Sequence, residues 1–466
     1  MLNFKPVTQR DGAKLRRYYK DCSYGLCEYA VGTKLMWRPV LHPAWTEAGG
    51  CLIVKNEMDG RVLFDYPVPG LEGNEETALR EIESYCIKRG VPLVISVVPD
   101  AKAPVLLARY PYVKVSNIRT WRDYIYNAED LQNFTGRRYN GQRNHVRKFR
   151  KSYPAAAFRP LTEADFPAIE AFWTRFEEEF EKDDFKAERE LALAKKLLRL
   201  LKKPWFCAGG IFDGEKLIAL SLAEKCGQTL IIHIEKALYS YEGAYPTLVQ
   251  AFASCFGRGV RLINREDDSA DRGLRTSKLQ YGPVKLAPKY YIEPLNELLC
   301  HVRDIPALTT RRLTLSKLTK ADIPAYNALV LDAGRNRYWG YNDVGGLGGP
   351  VKNDSFFKIA RDDFKNCAAV NFAVRLDGRF IGEAVLYNFN YRGDAELGCR
   401  IDAEYAGNGY GTEAFAVVAD WALYQVHLTR VIAKCYKDNG PSFKMLSAVM
   451  KKSGEDETFF YFEKLV

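Results

Sequence analysis

Apolar and polar residues alternate along this chain in blocks whose order repeats. Blocks with a period of two indicate half-buried strands, and longer blocks with a period near 3.6 indicate amphipathic helices. In the last third of the chain the predicted strands are 311–318, 369–376, 379–390, 394–402, 430–436 and 458–464, and the predicted helices are 319–333, 355–366, 409–425 and 440–451.

The middle of the chain carries the same order of elements. The segments LTEADFPA (Leu161–Ala168) and LTKADIPA (Leu318–Ala325) occupy the same place in both copies and have the Thr-x-x-Asp pattern of a helix N-cap. FDGEKLI (Phe212–Ile218) and LDGRFI (Leu376–Ile381) also match, and their Asp-Gly pairs predict tight hairpins. The repeat therefore predicts two similar α/β lobes. In the middle copy the strands are 157–161, 206–212, 216–225, 229–236, 260–264 and 284–292, and the helices are 162–182, 187–201, 243–256 and 271–280.

Residues 1–125 predict a third region of the same general kind. Strands are predicted at 34–40, 50–56 and 92–98, with a turn at Asp59-Gly60 and a helix at 75–89. The chain then divides into a degenerate N-terminal lobe (1–125), a central lobe (126–298), a linker (299–309) and a C-terminal domain (310–466).

Composition narrows the classes of protein that fit this pattern. Apolar residues are 47% of the 466 and charged residues are 27%, which is typical of packed globular domains and excludes disorder. The longest apolar runs fall well short of the ~18 residues of a membrane-spanning helix. The charged N-terminus lacks the apolar core of a signal peptide. Eleven scattered cysteines without a C-x-x-C pair predict reduced thiols, so we expect a soluble, cytoplasmic protein without a membrane span.

The net charge of +10 allows two interpretations. It suits an anionic partner, and it also suits a merely soluble surface.

Cys22 and Cys27 form a C-x4-C pair, but no second pair or nearby histidine completes a metal site. We therefore expect no metal.

Glycines are concentrated where the predicted strand 394–402 gives way to the next helix. The segment Ala406–Gly411 contains three alternating glycines, Gly407, Gly409 and Gly411. Successive backbone N–H groups can turn toward one point there, and the helix N-terminus adds partial positive charge. The arrangement suits a pyrophosphate, and a glycine-rich turn without a ligand is the alternative.

This loop, the element order β-β-β-loop-α-β-α around it, and Asn439-Gly440-Pro441-Ser442 at the start of the last helix resemble the GNAT acetyltransferase superfamily. The likeness covers about residues 310–466 and is strongest to the branch that acetylates ribosomal-protein N-termini and small amines. It implies an α/β (α+β) protein of three GNAT-like lobes, each a mixed, mostly antiparallel sheet flanked by helices. It also implies acetyl-CoA as a co-substrate.

The resemblance implies roles for individual residues. The glycine loop would hold the pyrophosphate of coenzyme A, the strand before it would pair with the pantetheine arm, and Asn439 and Ser442 would lie near the thioester. Glu396 would collect the proton of the amine, unless it is only a solvated carboxylate of its strand. The implied catalytic residues are Glu396, Asn439 and Ser442, and the implied coenzyme A contacts are Cys399, Arg400, Ile401, Gly407, Asn408, Gly409, Tyr410, Gly411, Thr412 and Asn439.

Two departures from the pattern of the superfamily affect these roles. Ala406 stands where Arg or Gln is usual, which removes a side-chain contact to phosphate. Helix 440–451 has no Tyr to protonate the leaving thiolate, so Ser442 or a water would have to substitute.

An aromatic segment, RNRYWGYND (Arg335–Asp343), lies where acceptors enter in this superfamily. Tyr338, Trp339 and Tyr341 either line the acceptor pocket or cap the core. The acceptor implied by the resemblance is an amine-bearing small molecule or a protein N-terminus.

The central lobe lacks the glycine loop. At the matching place Tyr241–Pro246 offers one glycine and a proline that removes an N–H donor. Charged residues collect instead at predicted strand ends, in HIEKA (His233–Ala237) and NREDD (Asn264–Asp268). With GLRTSK (Gly273–Lys278) and the basic segment that follows Gly136, they resemble the catalytic part of phosphatidylglycerol lysyltransferases, a family of tandem-GNAT architecture. This likeness covers roughly residues 1–298.

These charged residues have two interpretations. They could line the cleft of a second, aminoacyl-type transferase, because α/β sheets open ligand crevices at strand ends. They could instead form a buried ion network. The first interpretation predicts that the cluster faces an open cleft and that Arg265→Ala leaves the melting temperature almost unchanged. The candidate residues of this second site are Glu235, Arg265, Glu266, Asp267, Arg275 and Lys278.

The segment 137–151 contains seven Lys or Arg residues and no acid. With Tyr139 and Phe149 interleaved, it could bind the phosphates of an RNA such as tRNA. A solvated helix face is the alternative.

Two hypotheses of function follow. In the first, the C-terminal domain is an acyltransferase that moves an acetyl group from acetyl-CoA to an amine, and the N-terminal module is a second, aminoacyl-type transferase. In the second, the N-terminal lobes bind tRNA or an acidic ligand without chemistry, and the C-terminal lobe senses coenzyme A without catalysis.

Overall fold

The computed structural model describes residues 2–58, 60–89, 91–179, 185–198, 201–339, 353–391 and 393–466, with the backbone alone for 185–191. Contacts divide these residues into two compact units. The first unit comprises residues 1–81, 94–106 and 115–292, and the second comprises residues 82–93, 107–114 and 293–466.

The first 127 residues form one sheet and the start of a second. In the first sheet the strands lie in the order β1-β2-β3-β4-β6, with β15 (Lys289–Pro294) from later in the chain beside β6, and β5 pairs with β3. The helices and strands are β1 (Lys5–Pro6), α1 (Gly12–Tyr19), α2 (Val31–Met36), α3 (Arg38–Leu41), β2 (Ala44–Ala48), β3 (Cys51–Met58), β4 (Arg61–Asp65), β5 (Val68–Pro69), α4 (Glu75–Arg89), β6 (Ile95–Pro99), α5 (Ala103–Arg109), β7 (Val113–Ser116) and β8 (Asp123–Asn127).

The central part of the chain builds the second sheet, in the order β14-β8-β13-β12-β11-β10-β9. Its strands pair antiparallel except for β12 and β13, which are parallel. The elements are α6 (Ala128–Asn133), α7 (Asn140–Ser152), β9 (Ala156–Pro160), α8 (Phe166–Glu179), α9 (Phe185–Leu198), β10 (Phe206–Asp213), β11 (Lys216–Cys226), β12 (Thr229–Ala237), α10 (Ala244–Phe256), β13 (Leu262–Asn264), α11 (Arg272–Gln280), β14 (Lys285–Ala287) and β15 (Lys289–Pro294).

The second unit contains the third sheet, in the order β16-β17-β18-β19-β20-β21-β23-β22. Here too one pair, β20 with β21, is parallel and the others are antiparallel. The elements are α12 (Glu297–Cys300), β16 (Leu308–Thr309), β17 (Leu313–Lys317), α13 (Ile323–Leu331), α14 (Ala333–Asn336), α15 (Ser355–Lys365), β18 (Val370–Leu376), β19 (Arg379–Tyr387), β20 (Asp394–Ile401), α16 (Tyr410–Tyr424), β21 (Arg430–Tyr436), α17 (Gly440–Val449), β22 (Lys451–Glu455) and β23 (Phe459–Leu465).

Three mixed sheets flanked by helices confirm the predicted fold class. The repeat is confirmed in detail, because Thr162 and Thr319 each form a reciprocal capping box with the aspartate three residues later. Both Asp-Gly hairpins form, with Gly214 at φ +60° and Gly378 at φ +79°. The limits proposed for the four parts of the chain remain a prediction.

Two predicted strands are wrong. Residues 34–40 belong to helices α2 and α3, since a short apolar run cannot by itself distinguish a strand from a buried helix. The strand predicted at 284–292 is two strands in two sheets, β14 in the second and β15 in the first. Pro288 lies between them and lacks the N–H that a continuous ladder would need. Of the predicted turn at 59–60, Asp59 lies outside the described residues.

Candidate functional site

Strands β20 and β21 of the second unit pair over three residues only. Asp394, Ala395 and Glu396 pair with Arg430–Ile432, and no pairing between these strands follows in the described residues. The two strands therefore form a fork that opens after Glu396. The backbone N–H and C=O groups of residues 397–401 that point away from β19 have no strand partner in the described residues, so they can bond to a ligand.

Glu396 lies at the base of this fork and is only 8% exposed. The Tyr387 hydroxyl donates to its Oε1 at 2.9 Å and the Asn388 amide donates to its Oε2 at 3.1 Å. Burial, and then the Glu396 charge, raise the pKa of Tyr387 well above its usual value, so the phenol keeps its proton. The Lys434 ammonium lies 3.7 Å from Glu396 Oε1. These donors suit an ionised carboxylate, the form that a base requires.

The predicted glycine loop lies at the other end of β20. Gly407 and Gly409 have φ angles of +81° and +78°, which favour glycine, and residues 406–409 are exposed. Gly409 is the N-cap of α16, with no side chain to cap the helix. The N–H groups of Tyr410, Gly411 and Thr412 in its first turn therefore have no intrahelical acceptor. They and the helix dipole form a place for a phosphate.

Arg312, which the sequence interpretation missed, lies against this loop. Its Nη1 donates to the carbonyl of Asn408 at 3.0 Å, and its guanidinium stacks on Tyr410 at 4.5 Å from the ring centroid. Its Nε and Nη2 pair with Glu413 Oε2 at 2.8 Å. Two N–H groups remain free of these bonds, so Arg312 places a cation where Ala406 offers none. Its separation from the loop in sequence explains why no local pattern indicated it.

Asn439 and Ser442, the predicted residues of the last helix, contact each other, and Ser442 also contacts Cys435. The Asn439 side chain caps α17 by accepting from the N–H of Ser442 at 3.2 Å. Burial raises the pKa of the Cys435 thiol, and a hydrogen bond with Ser442 opposes that rise. Both residues follow β21, the second arm of the fork, in the chain.

The predicted contacts on β20 offer their backbone rather than their side chains. Arg400 is buried, and its Nε donates to Glu383 Oε1 at 2.7 Å. Burial and the neighbouring Glu383 raise the pKa of the Cys399 thiol to about 12. Ile401 is 9% exposed and packs in the core of the second unit.

Two of the three predicted acceptor aromatics lie on the described chain. A Cβ at Gly398 would be 3.2 Å from the Trp339 ring, so this indole covers β20 just beyond Glu396. Its other neighbour is the Arg400 guanidinium, 4.3 Å from the ring centroid. The Tyr338 hydroxyl donates to Asp438 at 2.8 Å, which raises the pKa of the phenol. Tyr341 lies outside the described residues.

In the central lobe, a helix takes up the space that a phosphate would need. Gly243 is the N-cap of α10, with φ +85°. A Cβ there would lie 2.6 Å from the carbonyl oxygen of His145 and 3.1 Å from Cβ of Phe149, both in α7. Helix α7 therefore packs directly against the N-terminus of α10, unlike the exposed loop before α16.

The charged cluster of the first unit does not face an open cleft, which corrects the expectation drawn from strand ends. Arg265 and Lys278 are only 8% and 7% exposed. Arg265 pairs with Glu235 and stacks on Tyr281 at 4.5 Å, and Lys278 donates to the backbone carbonyl of Arg265 at 2.6 Å. The remaining members are partly buried, and Arg275 pairs with Asp268 at 2.9 Å. Nη2 of Arg265 and the Lys278 ammonium therefore have internal partners, whereas the buried Nε and Nη1 of Arg265 have no hydrogen-bond partner among the described residues.

We expect Arg265→Ala to destabilise the first unit by about 3–5 kcal/mol, because it leaves the Glu235 charge buried and unpaired. Chemical denaturation of both proteins measures the difference. Arg272→Ala, which removes an exposed arginine of α11, is the control and should change little. Equal stability of the two variants would mean that the pair is open to water.

A histidine lies between two carboxylates in the same cluster. His233 Nδ1 is 3.1 Å from Glu266 Oε1, and its Nε2 is 3.7 Å from Glu224 Oε2. Burial alone would lower the pKa of His233, but the hydrogen bond with Glu266 and the nearby Glu224 carboxylate raise it to about 9. A Cβ at Gly32 would lie 2.4 Å from His233 Nε2, so glycine is needed beside the ring.

Because the folded pKa of His233 exceeds its usual 6.5, its charge stabilises the fold fully below pH 6.5. This stabilisation is lost as the pH rises through about 9. We expect the difference in unfolding free energy between the wild type and His233→Gln to shrink from about pH 6 to above pH 9. Denaturant titrations across that range measure it. A difference that stays constant would show that the ring is neutral in the fold.

A second buried group resembles a metal site but contains a lysine. Ligand atoms of Cys27, Glu28 and Asp123 lie within 4.8 Å of one another. The Lys289 ammonium is 2.7 Å from both Glu28 Oε1 and Asp123 Oδ1, where a metal cation would otherwise sit. Burial raises the pKa of Glu28 to about 7, against the effect of Lys289. The Lys289 ammonium therefore already balances the charge of the Glu28 and Asp123 carboxylates.

The predicted basic segment forms helix α7, but its aromatic residues are wrongly assigned to a binding surface. Tyr139 and Phe149 are 0% and 1% exposed and pack in the core, so neither can stack on a base. Arg138 pairs with Asp130, and Lys148 pairs with Glu242 at 2.6 Å. The other exposed basic residues are Arg137, Arg147, Arg150 and Lys151.

Among the helices of the described ranges, none has the length and apolar character needed to cross a membrane.

Comparison with known proteins matches two different families to two successive parts of the chain. Residues 23–293 match the family described as phosphatidylglycerol lysyltransferase, C-terminal. Residues 312–454 match the acetyltransferase (GNAT) domain.

Individual relatives are distant. An uncharacterized protein of Mycoplasmoides gallisepticum is 22% identical over 172 residues, which are 37% of this chain and 56% of that protein. The chain thus spans about half the length of this relative. The uncharacterized N-acetyltransferase YnaD of Bacillus subtilis is 24% identical over 154 residues, 33% of this chain and 85% of that protein. A crystal structure of a conserved protein of unknown function from Bacteroides thetaiotaomicron has a TM-score of 0.55 at 24% identity, covering 63% of this chain and 100% of its own.

Proposed function

The chain belongs to the phosphatidylglycerol lysyltransferase C-terminal family through residues 23–293 and carries a GNAT acetyltransferase domain at 312–454, and we propose that this second domain moves an acetyl group from acetyl-CoA to an amine. The match to the GNAT domain supports acyl transfer in general. What we propose beyond this is that the donor is acetyl-CoA and that the acceptor is an amine.

The fork after Glu396 carries this proposal. It has open backbone on one arm, a buried carboxylate at its base and a glycine loop at its far end. From Ile401 to Glu396 the strand rises about 17 Å, which separates a phosphate site from a reaction site along one extended path. A single molecule with a pyrophosphate at one end and a thioester at the other fits that path.

Each part of the site has a proposed role. The first-turn N–H groups of α16 and the side chain of Arg312 bind the pyrophosphate, and the free edge of β20 pairs with the pantetheine arm. Glu396 takes the proton from the attacking amine, directly or through a water. Trp339 bounds the acceptor side, and Ser442 or a water protonates the thiolate that leaves.

Calorimetry with acetyl-CoA tests the donor, and we expect one molecule bound per chain. The central lobe should bind none, because α7 packs against the N-terminus of α10 and a pyrophosphate there would find too few donors. Transfer to an amine such as tyramine, followed by mass spectrometry, tests the reaction. A stoichiometry of two would assign a second site to the central lobe, and an absence of heat would remove acetyl-CoA from the proposal.

The first unit is proposed to act as an aminoacyl-type transferase, which its family membership supports. The alternative is a module that binds tRNA or an acidic ligand without chemistry, beside a C-terminal lobe that senses coenzyme A. The exposed arginines and lysine of α7 favour an anionic partner in both cases. Native mass spectrometry of the purified protein distinguishes a retained RNA from a retained coenzyme A.

A further inference from the structure

The chain places one of its own amines at the fork. Lys434 lies on β21, two residues beyond Ile432, the residue that pairs with Glu396. Since side chains alternate along a strand, Lys434 and Ile432 point to the same face of the sheet. Its Nζ is 3.7 Å from Glu396 Oε1, and its side chain is 43% exposed. The amine is thus beside the candidate base and reachable from solvent.

The position of this ammonium is defined loosely. The distance to Glu396 exceeds that of a hydrogen bond, so the contact is a charge attraction without a fixed donor direction. On its other side the Nζ lies 5.5 Å from the centroid of the Phe459 ring, within the range of a cation–π contact. Lys434 can therefore turn its nitrogen toward the opening between the strands.

A second lysine of the same region provides a natural comparison. Lys437 follows the end of β21, is 38% exposed and lies 3.7 Å from Glu455 Oε1. Its exposure and ion-pair distance nearly equal those of Lys434. Its carboxylate partner, however, is on β22 rather than at the fork. A chemical reaction without catalysis would treat the two lysines alike.

We propose that Lys434 is an acetylation site of this chain, modified by its own C-terminal domain. This inference rests on the proposed function, because it requires acetyl-CoA in the fork. Bound there, the thioester would meet the Lys434 amine as its first available acceptor. Acetylation would remove the ammonium from Glu396 and leave an uncharged amide beside Phe459.

The step balances without any further reagent. The Lys434 ammonium first loses a proton to Glu396, and the neutral Nζ then attacks the thioester carbonyl carbon. The new bond is N–C, and the bond that breaks is C–S. The proton held by Glu396 and the second amine proton leave through water, and one of them ends on the coenzyme A thiolate.

The experiment incubates the full chain with acetyl-CoA and maps acetyl groups on peptides by mass spectrometry over time. We expect Lys434 to react at least about 10²-fold faster than Lys437, the contribution expected of a positioned base. Glu396→Gln should remove that advantage, and Lys437→Arg should leave the rate of acetylation at Lys434 unchanged. The rate per molecule should not change on dilution, because the reaction is within one chain.

Several results would overturn the inference. Equal labelling of Lys434 and Lys437, or labelling of Lys434 that survives Glu396→Gln, would mean ordinary chemical acetylation. A rate that falls on dilution would mean transfer between molecules. If tyramine is acetylated and Lys434 is not, the inference is wrong while the proposed function stands. If calorimetry detects no bound acetyl-CoA, both are wrong.

Discussion

Glu396→Gln is expected to lower the rate of acetyl transfer by about 10²–10⁴-fold at neutral pH, with the affinity for acetyl-CoA preserved. The glutamine keeps the size of the side chain: its carbonyl oxygen can still accept from the Asn388 amide, and its NH2 group can donate to the Tyr387 hydroxyl oxygen. It cannot take a proton from an amine. Its effect on binding should be small, because the glycine loop lies at the opposite end of β20. Steady-state kinetics with an amine acceptor and calorimetry with acetyl-CoA measure the two quantities separately.

Glu463→Gln is the control for this change. Glu463 pairs with Ile432 across the same sheet and is 25% exposed, but its carboxylate contacts Arg430 rather than the fork. We expect it to keep its activity. A loss of less than threefold in Glu396→Gln would assign Glu396 to the ordinary acids of the strand and would leave a water as the proton acceptor.

Gly409→Val is expected to abolish acetyl-CoA binding while the fold is retained. At φ +78° a β-branched residue is strained by about 1–3 kcal/mol, which a domain of this size can tolerate. The valine side chain would also stand before the first-turn N–H groups of α16, beside Arg312, where its Cβ would lie 3.5 Å from Nη2. Calorimetry measures the binding, and thermal melting measures the fold.

The hairpin between β18 and β19 supplies a matched control. Gly378 has φ +79°, and a Cβ there would have no atom within 4 Å. Gly378→Val therefore introduces the same backbone strain outside the loop, next to Arg379, which donates to the Tyr405 hydroxyl at 3.1 Å. It should lower the melting temperature as much as Gly409→Val does without affecting the binding of acetyl-CoA. If both variants bind acetyl-CoA as the wild type does, the loop before α16 is only a turn.

The elements that sequence predicted well are those whose pattern is local and strong. Strand β21 was predicted at 430–436 and lies at Arg430–Tyr436, because alternation over seven residues suffices to define it. Strand β22 was missed, since Lys451–Glu455 is polar and exposed and forms a strand only through its pairing with β23. A ladder of this kind depends on a partner rather than on its own residues.

The residues of the candidate site also fall into those that a local sequence pattern indicates and those that it does not. The glycine loop and Glu396 could be found because loop, strand and helix follow one another in the chain. Arg312 and Lys434 could not, since Arg312 lies just before β17 and Lys434 lies on β21, both distant in the chain from the residues they contact. The sequence also could not show that charged residues such as Arg265 are buried. The position of Arg265 at a strand end is a local property, whereas its burial depends on α11 and on the tyrosine packed against it.

Strand β15 has a consequence for the order in which the chain can fold during synthesis. Ile292 of β15 pairs with Ile95 of β6, so the first sheet must wait for the whole second sheet to leave the ribosome. Pairings so far apart in sequence form slowly, and meanwhile β6 exposes an unpaired edge that can capture other chains. A nascent or truncated polypeptide that stops before Lys289 keeps that edge open. Expression of the first unit alone should therefore extend through Pro294.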